Sequence, residues 1–325
     1  MICLGIESTA HTFGVGIIRD KNVLANERRA FTTLSGGMIP AKVAEHHVEH
    51  CDSVVQAALQ KANISIQDVD LFVFSQSPGL GNSLRIGAVA ARSLAIIHNK
   101  PIIGVNHCVA HLEIGKMQTK AKDPVLLYAS GANTQVIALE GGKYRVFGET
   151  LDTGIGNFID SFARHVDLGF PGGPLLEQHA LKGKRLLELP YSVKGMDVSF
   201  SGMLTTLEKL YDEKKASKED LAFSMQEYAF AALVEISERA LAHTGKKELL
   251  LGGGVACNKR LQEMCRKMCE ARGAICYVLE NQFNIDNGAM IAWLGFLEYK
   301  AGKRQAIAQT AIDPYLRTDE VEVFW

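Results

Sequence analysis

ICLGIESTAHTFGVGIIRDKNVLANERRAF, residues 2–31, reads as three strands in succession. An apolar run ends at Ile6, an alternating run spans Phe13 to Ile18, and a third runs from Val23 to Arg29, with Arg19, Asp20, Lys21 and Asn22 as the turn between the last two. Residues 124–150 repeat the plan as Val125 to Ala129, Thr134 to Leu139 and Tyr144 to Glu149, with the turn at Glu140, Gly141 and Gly142. At an offset of 121, Val15 falls on Val136, Ile17 on Ala138 and Asn22 on Lys143. The polar loops match too: STAHT (8–12) stands opposite SGANT (130–134).

Each meander leads into alternating helices and strands. In the first half the periodicity predicts a helix over Ala41–Ala62, a strand at Leu71–Ser75, a helix over Ser83–His98 and a strand at Pro101–Val105. In the second half it predicts helices over Asn157–Leu168, Leu221–His243, Asn258–Arg272 and Asn287–Ala301, with strands at Glu248–Leu251 and Ala274–Leu279. A meander followed by βα units, present twice, predicts an α/β fold of two similar mixed-sheet domains, 1–122 and 123–325, facing a cleft. That plan is shared by the actin, sugar-kinase and heat-shock ATPase superfamily, the duplicated actin-like (ribonuclease-H-like) fold. Between about 169 and 220 the pattern breaks into Gly- and Pro-rich turns and short charged segments such as KGKR (182–185), which reads as an insertion in the second domain.

With 325 residues, 47% hydrophobic and 22% charged, the chain has material for two cores. A formal net charge of −1 excludes a general polyanion-attracting field, so a nucleic-acid partner needs a local basic patch or a partner's charge. Lysines and arginines of the insertion, with KR (259–260), RK (266–267) and KAGKR (300–304), are the candidate patch. No apolar run approaches membrane-spanning length and the start lacks the pattern of a signal peptide, so a cytoplasmic protein without a membrane partner is expected. Seven scattered cysteines form no disulfide framework; Cys265 and Cys269 share a helix face and read as buried thiols.

GVNHCVAH (104–111) follows a short apolar run, and Asn106 can cap the next helix. His107 and His111, four apart, leave one face of that helix, which suits a metal and equally suits two histidines on a half-buried helix. STAHT and SGANT, as tight polar turns, can present backbone N–H groups to a nucleotide phosphate or serve as plain hairpin turns. In LGGGVACN (251–258) the glycines allow a flat ligand to approach while Asn258 bonds it; a crowded strand-to-helix turn is the alternative. SPGLGNSLR (77–85) reads as structural. Asp160 either pairs with Arg164 or accepts from ribose hydroxyls, and Asp286 either caps an apolar helix or is a ligand. AEHHVEH (44–50) places His46 and His50 on one face and reads as an interaction or surface helix.

GVNHCVAH, YASGAN (128–133), NFIDSFAR (157–164), FPGGP (170–174), SFSGM (199–203), GGGVACN (252–258) and DNGAM (286–290), in this order, closely resemble the universal tRNA threonylcarbamoyladenosine modification family. That family is TsaD in bacteria and the catalytic subunit of the KEOPS complex in archaea and eukaryotes. Tyr128 with Asn133, where bacterial members carry an SGGH-type loop, makes the chain look archaeal or eukaryotic in type; His11 departs from the acidic first loop of bacterial members. The resemblance implies a metal, iron by precedent with zinc acceptable, held by His107, His111, Tyr128 and Asp286. It implies an adenine nucleotide or threonylcarbamoyl-AMP along Tyr128, Ala129, Ser130, Gly131 and Ala132, with Asp160, Gly173, Glu177 and Asn258 on the adenosine. The implied reaction moves the threonylcarbamoyl group to the exocyclic amine of the adenosine 3′ of the anticodon in tRNAs reading ANN codons. No side-chain nucleophile or general base is assigned. Implied partners are tRNA, a kinase-like ATPase, a small dimerising subunit, an accessory subunit, and a separate enzyme supplying the adenylate. The competing readings are an actin-like ATP-dependent switch protein and a metallopeptidase; against the latter, HCVAH lacks the Glu that HExxH places after its first His.

Overall fold

The two meanders seed two sheets of the same design. The structure, a computed structural model, describes residues 1–34 and 37–325. In the first half β1 (Ile2–Glu7), β2 (Thr12–Arg19) and β3 (Asn22–Ala30) are antiparallel neighbours. They are followed by α1 (Pro40–Ala62), β4 (Leu71–Ser77), α2 (Gly81–Ile97), β5 (Ile102–Asn106) and α3 (His107–Gln118). β4 and β5 extend the sheet in parallel from β1, giving the order β3-β2-β1-β4-β5. These inner strands are buried on both faces, which is why they read as continuous apolar runs.

The second half opens with β6 (Val125–Ala129), β7 (Thr134–Glu140), β8 (Lys143–Glu149), α4 (Ile155–His165) and α5 (Gly173–Ala180). A small hairpin of β9 (Val193–Lys194) and β10 (Asp197–Val198) precedes α6 (Ser201–Asp212) and α7 (Lys218–Thr244). β11 (Glu248–Gly252), α8 (Lys259–Ala271), β12 (Ile275–Val278), α9 (Asn281–Asn284) and α10 (Gly288–Lys300) complete it. Its sheet order, β12-β11-β6-β7-β8, repeats the first strand for strand, with β6, β11 and β12 parallel. β1–β5 lie within 1–122 and β6–β12 within 123–325. The repeat is not at one constant offset: Glu7 pairs with Gly14 but Ala129 with Thr134, so the second loop is two residues shorter.

The segment 169–220 departs from the expected run of turns. It contains α5 and α6, whose buried residues Leu176, Ala180, Met203 and Leu207 pack on α4 and α7. Tertiary burial of one face, not local propensity, makes these short helices.

The last helix turns back across the first sheet. A Cβ on Gly5 would stand 2.3 Å from the Ala292 nitrogen, and one on Gly16 2.0 Å from that of Ala289. Glycine in β1 and β2 therefore lets the α10 backbone lie directly on the strands. α3 is buried along most of its length, packed between α10 and β11, and Trp293 Nε1 of α10 donates to the Glu113 carbonyl of α3 at 3.1 Å. This wedge brings the start of α3, the end of β6 and the residues ahead of α10 to one point.

Candidate metal centre and nucleotide cleft

Asn106 ends β5 and caps α3, accepting from the Cys108 and Val109 amides at 3.0 and 3.2 Å. His107 and His111 are thereby fixed on one face of a buried helix, their ring centroids 4.8 Å apart. Asn287, not Asp286, caps α10, accepting from the Met290 amide at 3.0 Å. Asp286 is free to point at the histidines: its Oδ1 is 3.3 Å from His111 Nε2 and 3.4 Å from His107 Nε2. The Tyr128 hydroxyl, at the end of β6, lies 3.0 Å from the same His107 Nε2. Among the described residues, His107, His111 and Asp286 are the one group of three His, Cys, Asp or Glu side chains placed to hold a metal ion.

Glu7, at the end of β1, is a member of this cluster that the sequence reading missed. It is fully buried and its Oε2 lies 2.8 Å from His107 Nδ1. Its Oε1 accepts from the Thr9 amide at 2.6 Å and from the Thr9 hydroxyl at 2.5 Å. A lone Glu closing the apolar run ICLGIE was the available signal, because a carboxylate on a central strand needs a partner. The first two amides of the first loop are spent on holding this arrangement. That of Ser8 goes to Ser75 Oγ at 3.0 Å and that of Thr9 to Glu7, so neither is left for a phosphate.

The electrostatics ask for a cation. Burial disfavours a charged imidazole at His107, but Glu7, with Tyr128 and Asp286, outweighs it and holds the pKa well above its ordinary value. At Asp286 burial acts upward, and His107 with His111 overrides it, holding the carboxyl well below its usual range. Burial lowers His111, whose Nδ1 has no partner among the described residues, and pushes the Tyr128 hydroxyl up. Two buried carboxylates thus face one imidazolium, and among the described residues no other cationic side chain is in contact with them. The spacing fits as well. Ligands about 2.0–2.1 Å from a tetrahedral ion stand about 3.3–3.4 Å apart, close to the separations of Asp286 from the two histidines, and the ligand atoms of that trio all lie within 4.8 Å of one another. Two imidazoles, a phenol and a carboxylate make a mixed nitrogen and oxygen set suited to iron or zinc. On binding, an ion would displace the Nε2 proton of His107, while the Nδ1 proton, donated to Glu7, would stay and keep the Nε2 lone pair turned to the cluster.

The cluster opens into a cavity of about 650 Å³ lined by both halves, from Thr9 and His11 to Ser130, Asp160, Glu177 and Asn258. This size and mixed lining suit a nucleotide-sized ligand. Ser130, Gly131, Ala132 and Gly173 also line it; Ala129 does not, being fully buried beneath Gly253. Among the described residues the Gly131 and Ala132 amides find no protein acceptor, and both residues line the cavity. Asp160 Oδ1 accepts from the Gly172 amide at 2.7 Å and not from Arg164, tying FPGGP to α4; burial raises its pKa. Glu177 Oε1 accepts from the Lys259 amide at 2.9 Å. Asn258 caps α8 through the Arg260 and Leu261 amides and donates to Gln226 Oε1 at 2.9 Å. Gly253, at φ +91°, is required by the close approach of Ala129, while Gly254 has open space where a Cβ would go and faces the cavity. Across the cleft mouth Thr33 and Phe170 exchange backbone hydrogen bonds of 2.8 and 3.2 Å.

Other expectations resolve differently. His47, between His46 and His50, is buried and hydrogen-bonds the Ala10 carbonyl at 2.9 Å, so AEHHVEH braces the first loop. Pro78, Gly79 and Leu80 of SPGLGNSLR wall the cavity, Leu80 donating to the Thr9 carbonyl at 2.8 Å. Part of the candidate basic patch is neutralised: Arg260 pairs with Glu227 and Glu263, Lys267 with Glu263, and Lys303 with Glu298. No helix among the described residues is long and apolar enough to cross a membrane.

Comparisons place these features in a family. The TsaD family, described as tRNA N6-adenosine threonylcarbamoyltransferase, matches residues 22–293. A tRNA N6-adenosine threonylcarbamoyltransferase of Thermococcus kodakarensis is 58% identical over 325 residues, 100% of each chain. A probable bifunctional tRNA threonylcarbamoyladenosine biosynthesis protein of Methanocaldococcus jannaschii is 52% identical over 100% of this chain and 60% of its own length. Among solved structures, HypF of T. kodakarensis (TM-score 0.64, 17% identity, 92% of this chain, 47% of that one) shares the fold. So does the (R)-2-hydroxyglutaryl-CoA dehydratase component A of Acidaminococcus fermentans (TM-score 0.58, 16% identity, 91% and 97%). The fold is the actin-like one, and the match along most of its length makes the chain a member of the tRNA N6-adenosine threonylcarbamoyltransferase family.

Proposed function

We propose that the protein transfers the threonylcarbamoyl group from threonylcarbamoyl-AMP to the exocyclic amine of the adenosine 3′ of the anticodon in tRNAs reading ANN codons. One observation carries the reading: donors from three distant segments, α3, β6 and the start of α10, converge at 3.0–3.4 Å beside a nucleotide-sized cleft. In this reading His107, His111, Tyr128 and Asp286 hold one metal ion, with iron favoured over zinc by the family resemblance. A bound ion supplies Lewis acidity to the acyl or phosphate oxygen. Ser130, Gly131 and Ala132 follow the phosphate and acyl part, and the open Gly131 and Ala132 amides receive the charge that develops there. Asp160, Gly173, Glu177 and Asn258 bound the adenosine, the free Asp160 oxygen being the acceptor for a ribose hydroxyl. The adenosine amine forms the new N–C bond as the carbonyl carbon–oxygen bond to phosphate breaks; AMP leaves with the electron pair and the amine proton passes to water.

The unit boundaries 1–122 and 123–325 follow the two sheets. The chain works in the cytoplasm as the catalytic subunit of a KEOPS-type assembly with a kinase-like ATPase, a small dimerising subunit and an accessory subunit, fed by a separate adenylate-forming enzyme. The deciding experiment supplies threonylcarbamoyl-AMP and cognate tRNA to wild type and His107→Ala in the presence of those subunits, with the modified nucleoside read by mass spectrometry. Wild type forms it and the variant loses at least about a hundredfold in rate. ATP turnover by wild type with no transfer would establish the nucleotide-switch reading instead.

A further inference from the structure

The metal end of the cavity is walled by Thr9, Pro78, Gly79, Leu80 and Pro314. Pro314 belongs to a C-terminal strap pinned to the first sheet along its length. Gln76 Nε2 donates to the Ala311 carbonyl at 2.6 Å, the Asp313 amide to the Gln76 carbonyl at 3.0 Å, and the Gly79 amide to the Pro314 carbonyl at 3.2 Å. Asp313 Oδ1 then accepts from the Tyr315 and Leu316 amides, both at 3.1 Å, locking the turn. On this pinned turn Tyr315 is 88% exposed. It has no ring partner, and its hydroxyl makes no hydrogen bond among the described residues. A backbone tied by several hydrogen bonds that holds a bare aromatic ring in water, one residue from the cavity wall, resembles a stacking platform.

A second feature stands beside it. α2 starts at Gly81, whose Cβ position faces the Pro314 ring at 3.7 Å. Arg85, one turn on and on the same helix face, is exposed, bonds only the Asn82 amide oxygen at 2.9 Å, and has no carboxylate partner among the described residues. Arg260 of the candidate basic patch is neutralised by Glu227 and Glu263, whereas Arg85 keeps its charge unpaired among the described residues. A free guanidinium on the helix that starts against Pro314, with an exposed ring on the residue after Pro314, offers what a single-stranded nucleotide needs, a cation for its phosphate and a face for its base.

We propose that Tyr315 and Arg85 form an RNA-receiving lip: Tyr315 stacks on the nucleobase next to the reacting adenosine, and Arg85 contacts a phosphate of the same loop. The inference rests on the proposed acyl transfer to tRNA. An adenosine entering the cavity has to leave its stack, which costs a few kcal/mol, and leaves its neighbour with an uncovered face. Tyr315 does not line the cavity but adjoins a residue that does, so it meets the neighbour and not the reacting base.

The test uses the assembled enzyme and an anticodon stem-loop carrying 2-aminopurine at the position 5′ or, separately, 3′ of the target adenosine. Stacking on Tyr315 quenches one of the two probes on binding to wild type and to Tyr315→Phe, and leaves it bright with Tyr315→Ala. Tyr315→Ala also raises KM for tRNA about five- to a hundredfold with AMP affinity unchanged. Arg85→Gln lowers the slope of log affinity against log salt by about one. If Tyr315→Ala quenches like wild type, or neither probe responds in an enzyme that transfers the group, the lip is refuted while the transfer stands. If Tyr315→Ala instead weakens subunit assembly and leaves the quench intact, a protein covers the ring and the inference is again refuted. A wild type that binds the stem-loop yet transfers nothing to whole tRNA overturns the proposed function.

Discussion

At the scale of single residues, two buried groups make testable demands. Thr9 donates twice to Glu7 Oε1, which fixes the other oxygen on His107 Nδ1. In Glu7→Gln the same donors keep the amide oxygen, so the NH₂ faces Nδ1, the imidazole proton moves to Nε2, and the nitrogen turned to the cluster can no longer bind a cation. Metal affinity is expected to fall about ten- to a hundredfold, measured by titration against a competing chelator, with the fold intact by circular dichroism. Equal affinity in the two proteins would sink the assigned tautomer. The second group is His47, which burial lowers from 6.5 to about 4. Below its unfolded pKa the unfolded chain binds a proton that the folded one refuses, so the contribution is complete above about pH 6.5 and is lost as pH falls toward about 4. Urea unfolding is expected to show about 2 kcal/mol less stability at pH 5 than at pH 7 from this residue. In His47→Gln that difference shrinks; an unchanged pH slope would show that other groups carry it.

At the scale of elements, the glycines separate packing from ligand binding. Gly16→Ala drives a methyl into the α10 backbone, so a loss of at least about 1–3 kcal/mol is expected in urea unfolding, together with a displaced Asp286 and weaker metal binding. Gly254→Ala adds the same methyl to open cavity space; it should change stability by no more than about 0.5 kcal/mol while reducing AMP affinity in calorimetry. Wild-type stability in Gly16→Ala, or wild-type AMP affinity in Gly254→Ala, would contradict this division. The same contrast explains what could be read from the sequence. β1–β3 and β6–β8 were legible because alternation and turn residues are local, and α3 with its histidine pair because Asn106 caps it within the same motif. α5 and α6 were not, since their helicity depends on packing against α4 and α7 and their sequences carry the Gly, Pro and charge of loops. Asp286 could be suspected as a ligand, but only the structure gives the cap to Asn287 and frees the carboxylate. The Gly16–Ala289 contact joins residues far apart in the chain, where no periodicity points, and the tie between Glu7 and His107 was hidden for the same reason.

At the scale of the whole molecule, the proposed ion is a cross-link between halves that otherwise meet through packing and a few strands of hydrogen bonds. His107 and His111 belong to a helix that follows the first sheet, Tyr128 to the central strand of the second, and Asp286 to the segment returning from the second sheet to lie on the first. An ion bound only by the folded chain adds RT ln(1 + [M]/Kd), about 2.7 kcal/mol at a free concentration a hundred times Kd. Withdrawing it leaves Glu7 and Asp286 buried against a single imidazolium, so the loss falls on contacts between the halves rather than within either sheet. Chelation is therefore expected to lower the thermal midpoint by several degrees and to weaken AMP binding, with both restored by ferrous iron and, less completely, by zinc. Asp286→Asn removes one donor and one buried charge together, so its midpoint should start near that of the chelated wild type and respond little to chelator. Scanning calorimetry of the four samples, wild type and variant with and without chelator, decides the matter: a wild-type midpoint indifferent to chelation and to added metal would mean that the cluster is a proton-sharing network that joins the halves without an ion.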